Sequence, residues 1–190
     1  MNRECEELAR RLNLSLTPAM ELQLERLEGW LKDEAVPAGG LGPGEGHRLG
    51  ARHLADSLLY TGGWEESPPD CVDLGSGVGL PGLVLAVVWP STDMTLVDRS
   101  SKRCDLARRA ARVAGIPVTV VESDLFAFGG VFSAIVSRAA IPADTLRSVL
   151  NRLLAPGGRA VVSGGGRPVD GYQTLEVLDR PTRLLMMQKS

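Results

Sequence analysis

The stretch Asp73-Leu74-Gly75-Ser76-Gly77-Val78-Gly79-Leu80-Pro81-Gly82 decides how this chain is read. It follows a short apolar run, Cys71 to Leu74, that suits a buried strand, and it leads into Pro81 to Val88, which suits a helix. Glycines at such a turn let the backbone bend sharply and let a ligand approach the main chain beside a helix N-terminus. The next strand-like run closes at Asp98, about 20 residues further on, where a carboxylate can accept hydrogen bonds from both hydroxyls of a ribose. The dinucleotide fingerprint Gly-x-Gly-x-x-Gly is not met. The third glycine falls one residue early, at Gly79, and Leu80 holds the place of the last. Asp73, at the start of the loop, can face a cationic amino acid moiety and would repel a pyrophosphate.

Outward from the loop, the chain alternates. Val-, Ile- and Leu-rich runs recur at Met94 to Val97, Val118 to Val121, Phe132 to Val136 and Ala160 to Val162, as buried parallel strands require. Between them, Lys102 to Ala114 and Ala143 to Leu154 read as helices, so the pattern specifies an α/β, doubly wound Rossmann-like sheet with ligands at the carboxyl ends of its strands. The chain closes differently: Tyr172 to Leu178 and Arg183 to Gln188 are strand-like runs with no helix between them, which requires an antiparallel hairpin.

Before the loop, residues 3 to 32 read as helical, with Leu8, Leu12, Leu24, Leu27 and Leu31 at helical spacing and Thr17-Pro18 as an N-cap followed by proline at N1. Val36 to Gly46 is too rich in glycine and proline for helix or strand and reads as a flexible loop. The expected organisation is therefore an N-terminal segment, 1–46, of helices and loop, and a larger domain, 47–190, opened by a helix over about His47 to Tyr60.

Composition narrows the function classes. At 190 residues, with 44% hydrophobic and 23% charged residues, the chain has material for a packed core, which excludes wholesale disorder and collagen-like repeats. A net charge of −2 excludes a histone-like binder, so any nucleic-acid contact must come from a local patch. Cys5, Cys71 and Cys104 form no Cys-x-x-Cys pair, which argues against a disulfide framework and against a metal site, and points to a reducing, cytoplasmic compartment. The acidic start, Met1 to Glu7, is no signal peptide, and no run approaches the ~18 apolar residues of a membrane span.

The loop from Asp73 to Gly79 resembles the Asp-x-Gly-x-Gly-x-Gly motif of class I S-adenosyl-L-methionine-dependent methyltransferases, whose sheet ends in an antiparallel hairpin. The resemblance sharpens at Arg52-His53-Leu54-Ala55-Asp56-Ser57, Gly79-Leu80-Pro81-Gly82, Lys102-Arg103 and Ser137-Arg138-Ala139. That set, in that order, is similar to the GidB/RsmG family, which methylates N7 of a guanine in small-subunit (16S) ribosomal RNA. The resemblance implies a cofactor site involving Asp73, Gly75, Gly77, Leu80 and Asp98, with Leu125 and Phe126 along the adenine and Arg138 touching cofactor or substrate. It implies that Arg52, His53, Lys102 and Arg103 face the small-subunit ribosomal RNA or its assembled particle.

The chain also departs from that family. The Asn-Leu-Thr motif before the Arg-His pair is replaced by the glycine-rich loop, the basic residue after the third strand is Asp124, and the lysine after the fifth strand is Ser163. Asp124 has its own use, since a carboxylate there can accept from the adenine amino group. These departures motivate two alternatives: a methyltransferase acting on another RNA or a small molecule, and a non-catalytic cofactor-binding module. Two other chemistries are disfavoured. A cytosine C5 enzyme needs a nucleophilic cysteine, and an exocyclic-amine enzyme usually carries Asn/Asp-Pro-Pro-aromatic where this chain has Ser137-Arg138-Ala139-Ala140.

Plain structural roles compete with several of these readings. Arg99, Lys102, Arg103, Arg108, Arg109 and Arg112 make a basic cluster suited to phosphate, although charged helix faces are commonly just solvated. His53 can sit beside a substrate or serve as a hydrogen-bonded structural residue, and Arg138 can act in the site or pair with Asp73 or Asp98. Cys71, Cys104, Trp30, Trp64 and Trp89 read as packing residues.

Overall fold

In the computed structural model, which describes residues 3–41, 53–138, 140–164, 169–178 and 183–189, the apolar runs form one seven-stranded sheet. Its strands are β1 (Asp70–Leu74), β2 (Asp93–Asp98), β3 (Thr119–Glu122), β4 (Phe132–Ser137), β5 (Leu154–Ser163), β6 (Gln173–Leu175) and β7 (Leu184–Gln188). Their order is β3-β2-β1-β4-β5-β7-β6, with β1 to β5 parallel. β7 runs antiparallel between β5 and β6, which is the hairpin expected at the end of the chain. Its turn, 179–182, lies outside the described residues. The fold is the class I methyltransferase arrangement. From β1 the chain builds outward through β2 to β3 and then returns to place β4 on the other side of β1, so the strand order reverses there and a crevice opens at the carboxyl ends of those strands.

Period-two alternation sorts the core into two layers. Val72, Leu74, Val97, Ile135, Ala160 and Val162 point to the side covered by α6 (Ala143–Leu153). Cys71, Leu96, Ala134, Val136 and Val161 point to the side covered by α4 (Gly82–Val88) and α5 (Ser101–Ala114). α5 is capped by Ser100, whose hydroxyl accepts from Arg103 N, and it ends on left-handed Gly115.

The N-terminal helices join the second layer. After α1 (Arg3–Arg11) the chain turns through Asn13, a residue type that tolerates the left-handed backbone it adopts here (φ 56°). α2 (Pro18–Trp30) starts as the sequence indicates, with Thr17 accepting from Met20 N and Pro18 at the first position. Leu8, Leu24, Leu27 and Leu31 are fully buried in the same cluster as Leu83, Leu85 and Ala107. Gln23 fastens α2 to α5 by donating to Gly115 O at 2.7 Å.

Three local expectations change. Val36 to Leu41, read as the start of a flexible loop, is packed instead: α2 runs on through a wider turn, Leu31–Ala35, and Gly40 N returns to Ala35 O at 2.8 Å. The helix expected over 47–60 is described only from residue 53. It comprises α3 (Ala55–Leu58) and a tighter turn, Leu59–Gly63, which runs past Thr61 because the Thr61 hydroxyl donates to Leu58 O and Trp64 N to Thr61 O. β5 begins earlier than its apolar run, at Leu154, because Gly157 and Gly158 exchange backbone bonds with Lys189. No helix among the described residues is long and apolar enough to cross a membrane.

Candidate active site

The glycine loop is shaped by what it must avoid. Gly75 and Gly77 have left-handed backbones (φ 71° and 59°), and a Cβ on Gly75 would stand 2.3 Å from the Ala140 Cβ. Gly75 N and Ser76 N both donate to Val97 O, at 2.8 and 3.0 Å, which stitches the loop to β2. At the end of β2, Asp98 is only 4% exposed, and its two oxygens accept from Gly77 N and Ser100 N, each at 2.9 Å. One carboxylate thus sets the loop and the start of α5 together, and each oxygen keeps a lone pair for a ligand hydroxyl.

Loop and carboxylate bound a cavity of about 320 Å³, within the usual range for small-molecule sites. Gly75, Gly77, Leu80 and Asp98 line it, as the sequence suggests. Asp124, Leu125 and Phe126 line it from the turn after β3, where the Asp124 carboxylate accepts from Phe126 N at 2.8 Å. Phe126 is 55% exposed, a large apolar ring left in solvent at the cavity mouth.

Asp73 is placed elsewhere. It is 0% exposed, absent from the cavity wall, and lies beneath α4, accepting from Gly82 N at 2.8 Å. The reason is alternation: Val72 and Leu74 face the α6 layer, so Asp73 faces the α4 layer under the loop. A direct contact with a cationic ligand group is therefore replaced by a role in holding the loop-to-helix turn, helped by the absence of a Cβ on Gly82. Its second oxygen has no hydrogen-bond partner, and burial pushes its carboxyl up to about 7 against the pull of Gly82 N and Arg138.

That shift has a testable sign. The folded state holds the Asp73 proton more tightly than the unfolded chain, so its contribution to stability is full below about pH 4 and is lost as pH rises through about 7. Asp73→Asn keeps an acceptor for Gly82 N and removes the titration. The expected result in denaturant melts at pH 5 and pH 8 is a variant that gains stability relative to the parent at pH 8.

Arg138, at the end of β4, lines the cavity and ties it to the segment before α3. Its guanidinium donates to His53 O at 3.2 Å and Ser57 Oγ at 3.4 Å, and lies 3.4 Å from His53 Nδ1. The two motif elements, Arg-His and Ser-Arg-Ala, therefore meet through His53 and Arg138. Arg52 and Ala139 lie outside the described residues. Behind them, fully buried Tyr60 donates to Ser137 O at 3.3 Å, and its hydroxyl is pushed up by burial. Ser163 also bonds to Tyr60.

The basic cluster divides. Arg103 and Arg99 line the cavity, and the Arg103 guanidinium is 4.0 Å from Asp98. Lys102 is exposed on the first turn of α5, off the cavity wall. Arg108 is engaged with Asp105 and Val120 O, whereas Arg109 and Arg112 are exposed. Sequence reading missed Gly40 and Leu41, which close one side of the cavity. The glycines of 39–46 hid them, and the only signal was the apolar spacing that continues from α2 to Leu41. Cys104 packs, with its thiol toward Asp98 O, and Trp64 stacks edge-on to Trp89 at 5.4 Å.

Known proteins share the sequence pattern and the fold. The family model described as GidB, rRNA small subunit methyltransferase G, matches residues 24–178. The chain belongs to the GidB family. Curated relatives named ribosomal RNA small subunit methyltransferase G include one from Mycobacterium marinum, 34% identical over 80% of this chain and 68% of its own length. Another, from Frankia alni, is 28% identical over 87% and 73%, and one from Mycolicibacterium gilvum is 32% identical over 74% and 63%. This GidB chain thus spans from under two thirds to about three quarters of these relatives. Among solved structures, an RNA methyltransferase from Salinibacter ruber in complex with S-adenosyl-L-homocysteine superposes with a TM-score of 0.56 at 20% identity, covering 71% of this chain and 88% of that one. Coclaurine N-methyltransferase gives 0.58 at 18% identity, covering 85% and 56%. Family and fold together make the GidB chain an S-adenosylmethionine-dependent methyltransferase.

Proposed function

We propose that this chain transfers a methyl group from S-adenosylmethionine to N7 of a guanine in small-subunit (16S) ribosomal RNA, in the cytoplasm, on the RNA or its assembled particle. The observation that carries this reading is the cavity itself: in a GidB-family chain, it joins the glycine loop and Asp98 on one side to Arg138 on the other, with His53 off the cavity wall and bonded to Arg138. The residues fit the cofactor. Left-handed glycines leave room for close approach, Asp98 offers acceptors to the ribose, and Asp124, Leu125 and Phe126 form a wall for the adenine.

Bound there, S-adenosylmethionine supplies a methyl group on a sulfonium. Guanine N7 carries an exposed lone pair and loses no proton on methylation, so the chain needs no general base. Its task is alignment and a suitable field. Arg138, on the cavity wall and bonded to His53, serves the alignment of the acceptor base. Arg99, Lys102 and Arg103 put positive charge at the rim, where RNA phosphates approach, and Arg109 and Arg112 extend it along α5.

The test is transfer of labelled methyl to small-subunit RNA and particles from cells lacking the native modification, followed by nucleoside analysis. Label in 7-methylguanosine is expected. Label in another nucleoside, or none while the cofactor binds, overturns the acceptor assignment and leaves another acceptor or a binding-only role.

A further inference from the structure

The crossover from β3 to β4 carries no helix, so the turn at 124–128 alone forms that side of the cavity. Its N-terminal half is self-braced: Asp124 Oδ1 accepts from Phe126 N, and Asp124 O accepts from Ala127 N and Phe128 N at 3.1 and 2.9 Å. The carbonyls of its other half point away from these bonds, and one side chain collects them. Arg152, in the last turn of α6, donates through Nη2 to Leu125 O at 3.0 Å and Phe126 O at 3.2 Å, and through Nη1 to Phe128 O.

The peptide joining Leu125 to Phe126 is consequently held at both ends, its carbonyl by Arg152 and its N–H by the Asp124 carboxylate. That fixes the three cavity-lining residues of the turn relative to one another. A planar guanidinium suits this task, because its fork reaches several acceptors at once, which the point charge of a lysine does not.

We infer that Arg152 is a positioning residue for recognition of the cofactor's base, acting through the 124–128 turn. This rests on reading the cavity as the cofactor site. A mere brace between α6 and the turn would affect stability. A positioning residue must also affect which base is accepted.

The experiment is calorimetric titration of the parent, Arg152→Met and Arg152→Lys with S-adenosylhomocysteine and with S-inosylhomocysteine, in which an oxo group replaces the adenine amine. The parent should prefer the adenosyl ligand. Arg152→Met should bind it about 10-fold more weakly, with inosyl binding little changed, so that the preference shrinks, and Arg152→Lys should fall between. A parental preference in Arg152→Met, whatever its melting temperature, overturns the inference. If that variant does not fold, a parental preference in Arg152→Lys does the same. A parent that binds neither ligand overturns the cofactor reading itself.

Discussion

Asp98→Ala is expected to weaken S-adenosylmethionine binding by about 1.5–3 kcal/mol, roughly 10- to 150-fold, measured by calorimetry. The carboxylate is almost wholly buried, so its interactions are poorly screened, and it accepts charge-assisted bonds from Gly77 N and Ser100 N. Alanine removes the acceptors offered to the ribose and the tie from Gly77 to the end of β2, leaving those of Gly75 and Ser76 to Val97 O. The loop then loses the anchor that holds left-handed Gly77 in place. Asp98→Asn keeps one acceptor and should lose less. Unchanged affinity in Asp98→Ala would put the ribose elsewhere.

Arg138→Ala is expected to lower kcat/KM for methyl transfer by about 100-fold, the scale on which misplacement of the reacting groups is felt. The side chain also has structural work, since it bonds to His53 O and Ser57 Oγ. Its bonds to His53 and Ser57, at 3.2–3.4 Å, are long and made by a half-buried group, so the melting temperature should fall by only about 2–4 °C. Arg138→Lys should recover part of the rate. A collapse of thermal stability equal to the loss of rate would make Arg138 a structural strut and not a residue of the site.

Much of the fold is legible because strands and helices announce themselves by period. β1, β2 and β4 each begin and end within one residue of their apolar runs, and the helix-free stretch before Arg183 demanded the antiparallel β7. The apolar run marks only the second half of β5, because Leu154 to Arg159 is paired through backbone bonds that leave no apolar signature. The site was legible where chemistry is written locally, as in the loop and Asp98. It was illegible where burial decides: Asp73 belongs to the motif, yet alternation along β1 turns it away from the cavity. Arg152 could not be found from sequence, since 26 residues separate it from Phe126 and only the fold brings them together.

In the proposed function the cofactor is held in the cavity at the carboxyl ends of β1, β2 and β3. Amide hydrogen exchange of the parent chain with and without S-adenosylhomocysteine tests this directly. The expected result is strong added protection in peptides covering 74–80, 96–100 and 124–128, with little change at the opposite edge around Trp64 and Pro156. Protection centred on that opposite edge, or saturating binding that leaves the glycine loop unprotected, would contradict it.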